Sequence, residues 1–362
     1  MKKWTLILMV LAMMAVPALA CGFPLPAGTE MMRISKAVCA EGEAPESCQE
    51  RQDAYQLMGK LQSVQVDDLN MHLVIDAAEE QMEANLQGSY EYQLITANVG
   101  LGANIDSHWE TGNITDATGT QTLNNYEIIA IGDQLYLSQD GGETWQTEAA
   151  DQTTLIGLGM FLGLGGPLGA SLDLYADPGI FTVTLEPDVE YDGQTMHVQT
   201  LAVDLEKLLA SPDAALGLLE DGFAVGGDLM GMSMEDLGMT PQQFAMVLPM
   251  MLPVLEGTTF TTTIYIGADD GYIHYVADDF VLAMDASAFD PSQSAMGMTY
   301  QMSGYLTAHN QPVTITAPSN ATEGSDGLFG NSGLFGSSGV LPDSTATPGA
   351  GGIGDALFGS SK

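Results

Sequence analysis

Basic residues are the scarcest class in this chain: eight Lys plus Arg stand against 47 Asp plus Glu, a formal net charge of −39. Lys2 and Lys3 both fall in the first few positions, so the rest of the chain is poorer in cations still. That composition excludes nucleic acid as a partner, because phosphate binding requires a basic footprint. It acts on solubility in a salty or otherwise demanding medium rather than on the fold, with specific cation binding as the other possibility. Aromatic residues supply only 7% of the chain, while Met reaches 22 and Gly 42. A core of small and flexible side chains is therefore expected, one that adapts its shape. Catalytic signatures are missing as well. There is no nucleophile with base and orienter and no metalloprotease motif, and the glycines between Gly157 and Gly166 open onto no strand-turn-helix unit of a phosphate-binding kind. The chain reads as a non-enzyme that needs no cofactor and no metal.

Cysteine is rare too, with three in all. Residues 1–20 carry a short basic start, an apolar run from Trp4 to Val16 and Pro17-Ala18-Leu19-Ala20 before Cys21. This pattern describes a secretory signal, too short for a membrane span. The Cys directly after Ala18-Leu19-Ala20 resembles a bacterial lipobox, although Ala18 stands where lipoboxes usually have Leu. The resemblance implies that Cys21 becomes the acylated N-terminus and anchors the chain at the outer face of the cell membrane or in the periplasm. Ordinary cleavage after Ala20 is the alternative. With Cys21 lipidated, Cys39 and Cys48 remain as a disulfide pair in an oxidising compartment.

From Met31 to Leu61 a helical stretch is expected, broken by the acidic loop around Pro45 that the disulfide would close. Ala54, Leu57, Met58 and Leu61 fall at helical spacing on one face. Arg33, Lys36, Arg51 and Lys60 make a sparse basic face that either sits near lipid head groups or pairs with the acidic body; the second is the reading taken, because lone basic residues on a helix are usually solvated. Beyond it the period changes to two. Strands are expected at 66–77, 84–94, 103–110, 126–131, 134–138 and from 144, then at 180–185, 194–205, 258–266, 272–284, 298–307 and 313–317. Gly132-Asp133, Asp140-Gly141-Gly142, Asp192-Gly193 and Asp269-Asp270-Gly271 supply the turns. The five His are scattered singly and read as ordinary surface or core residues.

Two apolar insertions interrupt the strands. Residues 154–172 are punctuated by Gly and Pro and hold Met160, Phe161 and Leu162; residues 205–255 contain two helix starts, at Ser211-Pro212 and Thr240-Pro241. The second of these helices presents Phe244, Val247, Leu248, Met251 and Leu252 as one stripe, with Met246 and Met250 beside it. Between the helix starts lie Met230, Met232 and Met234. Their thioethers could hold cuprous copper, but they are also the usual lining of an adaptable apolar surface, the role assigned to them here. Neither insertion can span a membrane, so each is expected to bury itself against the sheet or a ligand. Met160, Phe161, Leu162, Met230, Met232, Met234, Phe244, Met246, Val247, Met250 and Met251 are the candidate lining of an apolar cavity.

The expected organisation is a signal peptide at 1–20, a tether with the disulfide loop at 21–49, one β-rich domain at 50–317, and a disordered Gly/Ser-rich tail at 318–362. Ser63-Val64-Gln65-Val66 after an early helix, Gly132-Asp133-Gln134-Leu135-Tyr136-Leu137-Ser138 before Asp140-Gly141-Gly142-Glu143-Thr144-Trp145, and the closing Gln311-Pro312-Val313-Thr314-Ile315 resemble the LppX and LprG type of lipoprotein, related to the LolA and LolB lipid carriers. The resemblance spans about residues 50–320. It implies an α+β, mainly β fold: a strongly curved antiparallel sheet, a half-barrel, with helices covering an apolar cavity that holds acyl chains. The function expected is a membrane-anchored exported lipoprotein that binds or carries lipids or other amphiphiles. The alternative is a non-transporting envelope protein in which the same sheet packs a solid core. No protein partner is named by the sequence.

Overall fold

The computed structural model describes residues 39–58, 60–77, 80–94, 103–116, 119–149, 179–210, 257–284 and 296–323. Helix α1 (Pro45–Met58) leads into six strands: β1 (Ser63–Ala77), β2 (Glu80–Leu94), β3 (Ala103–Asp116), β4 (Gly119–Ile131), β5 (Gln134–Ser138) and β6 (Trp145–Ala149). Then come β7 (Phe181–Tyr191), β8 (Gln194–Val203), a short helix α2 (Leu205–Ala210), β9 (Thr259–Gly267), β10 (Ile273–Met284), β11 (Met296–Thr307) and β12 (Ala321–Glu323). All twelve strands belong to one open, curled sheet in the order β12-β6-β5-β4-β3-β2-β1-β11-β10-β9-β8-β7. Two meanders, β1 to β6 and β7 to β11, meet where β1 pairs antiparallel with β11.

Alternation selects the buried face. In β5, Leu135 and Leu137 are buried while Gln134 and Tyr136 are half-buried. In β10 the register places Val276, Asp278, Phe280 and Leu282 together, and all four are buried. Bulges let long strands keep one apolar face while bending. The ladders of β1 slip between Val66 and Leu69, so Val64 and Val66 lie on the same side as Leu69 and Met71 despite the odd spacing. Asp68, at φ 49°, sits in that slip. A second slip falls at Gly88, where an added Cβ would lie 2.2 Å from the His108 carbonyl oxygen, so only glycine allows β2 and β3 to approach so closely. Asp192 and Gly193, both at positive φ, form the two-residue hairpin between β7 and β8.

Most of the buried apolar side chains form one cluster on the inner face, from Ile128 and Leu135 through Val66 and Met302 to Ile264, Ile266 and Phe181. Tyr55 and Met58 of α1 pack into it. A second, small cluster covers the outer face near β6: Ile129, Trp145 and Ile315, flanked by Val313 and Ala321. Residues 313–317, expected as a strand, lie on this outer face outside any ladder, and the last strand among the described residues is β12, which pairs parallel with β6. The ordered body therefore runs past the boundary placed at 317.

Arg51 pairs with an acid, as expected, but it does so buried rather than solvated, at 1% exposed. Its guanidinium donates to both oxygens of Glu43, at 2.5 and 2.9 Å, and its Cζ lies 5.8 Å from the centre of the Phe181 ring. Among the described residues no helix is long and apolar enough to cross a membrane.

Candidate functional site

Helix α1 packs over the β7–β10 end of the inner face; two devices brace it against its own leading turn and a third ties it to the sheet. The first is a covalent clasp: Cys39 and Cys48 form a disulfide, with Cα atoms 5.2 Å apart, closing a turn in which Gly42 takes φ 80°. Within that turn Glu43 accepts from the Ala40 amide (2.8 Å), the Ser47 hydroxyl (3.2 Å) and Arg51. Both sulfurs are spent in the S–S bond and the carboxylate is engaged by donors, so the grouping of Cys39, Glu43 and Cys48 is a structural staple. The second device is the Arg51 fork. The third is a lateral bond from Glu50 to His197 of β8, beside Gln199, whose Nε2 donates to the Ser47 carbonyl and to Glu50 Oε2, each at 3.2 Å. The short Glu50 bond raises the His197 pKa above its usual value.

Beneath this helix the buried inner face is apolar except for Gln199, Thr262 and Asp278. The register aligns Leu201 of β8, Thr262 of β9, Asp278 of β10, Met302 of β11, Met71 of β1 and Leu86 of β2 across the sheet. Asp278 is 4% exposed. The Thr262 hydroxyl donates to Asp278 Oδ1 at 2.6 Å, while among the described residues Oδ2 finds no partner. Burial pushes the carboxyl pKa up to about 6, against the pull of the Thr262 bond. On α1, which packs against β10, the Tyr55 hydroxyl is also buried without a partner among the described residues. Its pKa rises to about 12 through burial, with Arg51 lowering it and Asp278 raising it further. Gln199 Oε1 is a third orphan near the same helix. A buried polar group left unsatisfied costs about 1–3 kcal/mol, and native folds seldom carry several together.

Away from the helix, the face opens. Leu73, Ile75, Met82, Ile114 and Tyr300 share the inner side with Asp278 through the β10-β11-β1-β2-β3 ladders, and all five are only half-buried. The Tyr300 hydroxyl donates to Met302 Sδ at 3.1 Å, which leaves its ring along the face.

Of the residues singled out in the sequence, Cys39 and Cys48 are joined as expected. Cys21 and the whole proposed lining, Met160, Phe161, Leu162, Met230, Met232, Met234, Phe244, Met246, Val247, Met250 and Met251, lie outside the described residues. Asp278, Tyr55 and Gln199 were not anticipated. Asp278 did carry a legible signal: it has the same strand parity as Val276, Phe280 and Leu282, an acid in an apolar register.

The class of fold is thus a mainly β, open, curled sheet with a helix pinned to its inner face. Among solved structures the chain is similar to LprF from Mycobacterium bovis, at 13% identity over 76% of this chain and 98% of that one, with a TM-score of 0.35. It is also similar to the lipoprotein LppX from Mycobacterium tuberculosis, at 11% identity over 76% of this chain and 100% of that one, with a TM-score of 0.30. No family model and no curated protein matches the chain.

Proposed function

We propose that this chain is an exported lipoprotein, anchored through acylated Cys21, that binds or carries lipids or other amphiphiles against the inner face of its sheet. The observation that supports it is the half-buried apolar row of Leu73, Ile75, Met82, Ile114 and Tyr300, continuous with a fully buried floor. A face of that kind suits acyl chains, which need apolar area and little directional bonding. In this proposal the apolar residues of the two insertions, Phe161 and Met250 among them, contribute to the lining.

The direct test is native mass spectrometry of full-length protein purified without detergent. Reproducible adducts with amphiphile masses are expected, and a clean apo mass under gentle conditions overturns the carrier in favour of an envelope protein with a solid core. Phe161→Trp and Met250→Trp should lower lipid binding with little change in melting temperature. In a solid core the added volume would instead go into strain, typically about 1–3 kcal/mol. For the anchor, Cys21→Ala should abolish acylation, and an unmodified mature Cys21 in the wild type would remove it from the proposal.

A further inference from the structure

We propose that the Asp278 carboxylate and the Tyr55 hydroxyl form a polar anchor within the apolar face, built to hold an uncharged, hydroxyl-bearing head group of the bound amphiphile. This rests on the lipid-binding proposal and narrows it to a ligand class.

The two groups come from different elements that pack together. Asp278 lies in the middle of β10, and Tyr55 lies on α1, the helix that the His197 and Gln199 bonds tie to the sheet. Both residues are more than nine-tenths buried. They do not bond to each other, and each keeps one polar atom unmatched among the described residues. Asp278 is fixed by Thr262 through Oδ1, so Oδ2 is held in place with its lone pairs unused.

The unmatched valences specify the guest. An ionised Asp278 Oδ2 accepts only, and a Tyr55 hydroxyl has a proton to give. A hydroxyl satisfies both, donating to Oδ2 and accepting from Tyr55. A phosphate could accept from Tyr55 but would meet the Asp278 charge in a poorly screened interior, under a protein of net charge −39. A plain ester offers no donor and leaves Oδ2 bare. An ammonium would meet Oδ2 but leave the Tyr55 proton unused. Uncharged head groups such as a glycerol or a sugar therefore fit best. Sites that hydrogen-bond a ligand hydroxyl discriminate strongly against analogues lacking it, because their own buried groups are then stranded.

The test uses full-length protein and three probes sharing one oleoyl chain: mono-oleoylglycerol, methyl oleate and oleoyl lysophosphatidic acid. Direct titration of the wild type should give mono-oleoylglycerol an affinity roughly tenfold or more above the other two, a difference of about 1.4 kcal/mol. Asp278→Asn keeps an acceptor for Thr262, and Tyr55→Phe keeps the ring. Each should erase most of that preference, with mono-oleoylglycerol losing affinity relative to methyl oleate. Equal binding of mono-oleoylglycerol and methyl oleate by the wild type overturns the anchor but leaves the lipid carrier standing. If no probe binds, the carrier fails and the anchor with it. Variants that melt earlier yet retain the wild-type preference assign Asp278 and Tyr55 to the core alone and also overturn the anchor. The wild-type comparison decides even if a variant does not fold.

Discussion

Tyr191 and Tyr305 stack face to face, with ring centroids 4.4 Å apart, although β8, β9 and β10 lie between their strands in the sheet. The tip of the β7–β8 hairpin must therefore fold back across the sheet. Tyr305 in turn contacts Tyr275, at 4.8 Å, and Tyr275 contacts Tyr265, at 4.5 Å, so the tip rests on a cross-strand row of rings. Such aromatic pairs contribute about 0.5–1.5 kcal/mol beyond burial. Tyr191→Ala should cost about 1 kcal/mol and speed amide exchange at residues 189–196 while leaving β1 and β11 protected. Uniform loss of protection across the sheet would show that the tip is not a separate clamp.

Asp278 should make the protein less stable at neutral pH than in mild acid. Its pKa is 3.8 when unfolded and about 6 when folded, so the folded state holds the proton over that interval while the unfolded chain releases it. Stability is then greatest below the unfolded value and falls as pH rises through the folded one. Asp278→Asn removes this slope. The variant should be more stable than wild type above about pH 7, by on the order of 2 kcal/mol, with the gap closing below about pH 4. Chemical denaturation across pH reads this directly, and a gap independent of pH would refute it. A stability gain accompanied by lost head-group preference would be the mark of a site kept for function at a cost in stability.

The Glu50–His197 bond titrates in a higher pH window. The folded His197 pKa lies above 6.5, chiefly because of the Glu50 hydrogen bond. Its contribution is complete below the unfolded pKa and is lost as pH rises through the folded value. Both side chains are partly exposed, at 42% and 29%, so screening holds the effect to a few tenths of a kcal/mol. Glu50→Gln should thus lower the melting temperature slightly at about pH 5.5 and less at about pH 8.5. Equal losses at both pH values would indicate a neutral hydrogen bond instead.

Gly88 should tolerate no side chain. Its missing Cβ leaves room for the His108 carbonyl, a backbone atom that can yield only if the β2–β3 ladder shifts. Gly88→Ala is expected to cost about 2–3 kcal/mol in denaturant titrations, in the range of strained backbone positions. A cost below about 0.5 kcal/mol, as at an ordinary surface site, would show that the bulge relaxes freely.

Strands whose two faces differ in polarity were legible from sequence. Residues 134–138 alternate and pair as the pattern demands, and Asp192-Gly193 turns the chain where its backbone preferences say. The distal halves of β3 and β4 were not, because Thr111, Asn113, Thr115, Thr120 and Thr122 carry no apolar period. Side-chain bonds hold that region instead, Thr111 to Gln87, Thr122 to Asn113 and Thr115 to Thr120. The burial of Arg51 was not legible, because it depends on Glu43, eight residues earlier and inside the turn that the disulfide closes. The meander at 126–146 was conspicuous for its strong turn signals, yet it lies toward one edge of the sheet, and the centre is β1 against β11. Pairing between strands so far apart in sequence leaves no local trace. The anchor escaped notice for a similar reason: an acid in an apolar register becomes informative only once a helix brings a second orphan above it.

The β1–β11 ladder also dictates the order in which the molecule can assemble. It sets Met71 opposite Met302 and Leu73 opposite Tyr300, so the join closes a loop of more than two hundred residues. The β1–β6 meander can zip from its own hairpins at small entropic cost; in the other half β8 and β9 are more than fifty residues apart, and the seam waits for the far end of the chain. A polypeptide threaded across a membrane from its N-terminus would therefore emerge with β1 exposed along one edge and remain in two unjoined halves until β11 arrives. The inner face, and any guest it takes, comes into being only at that last step.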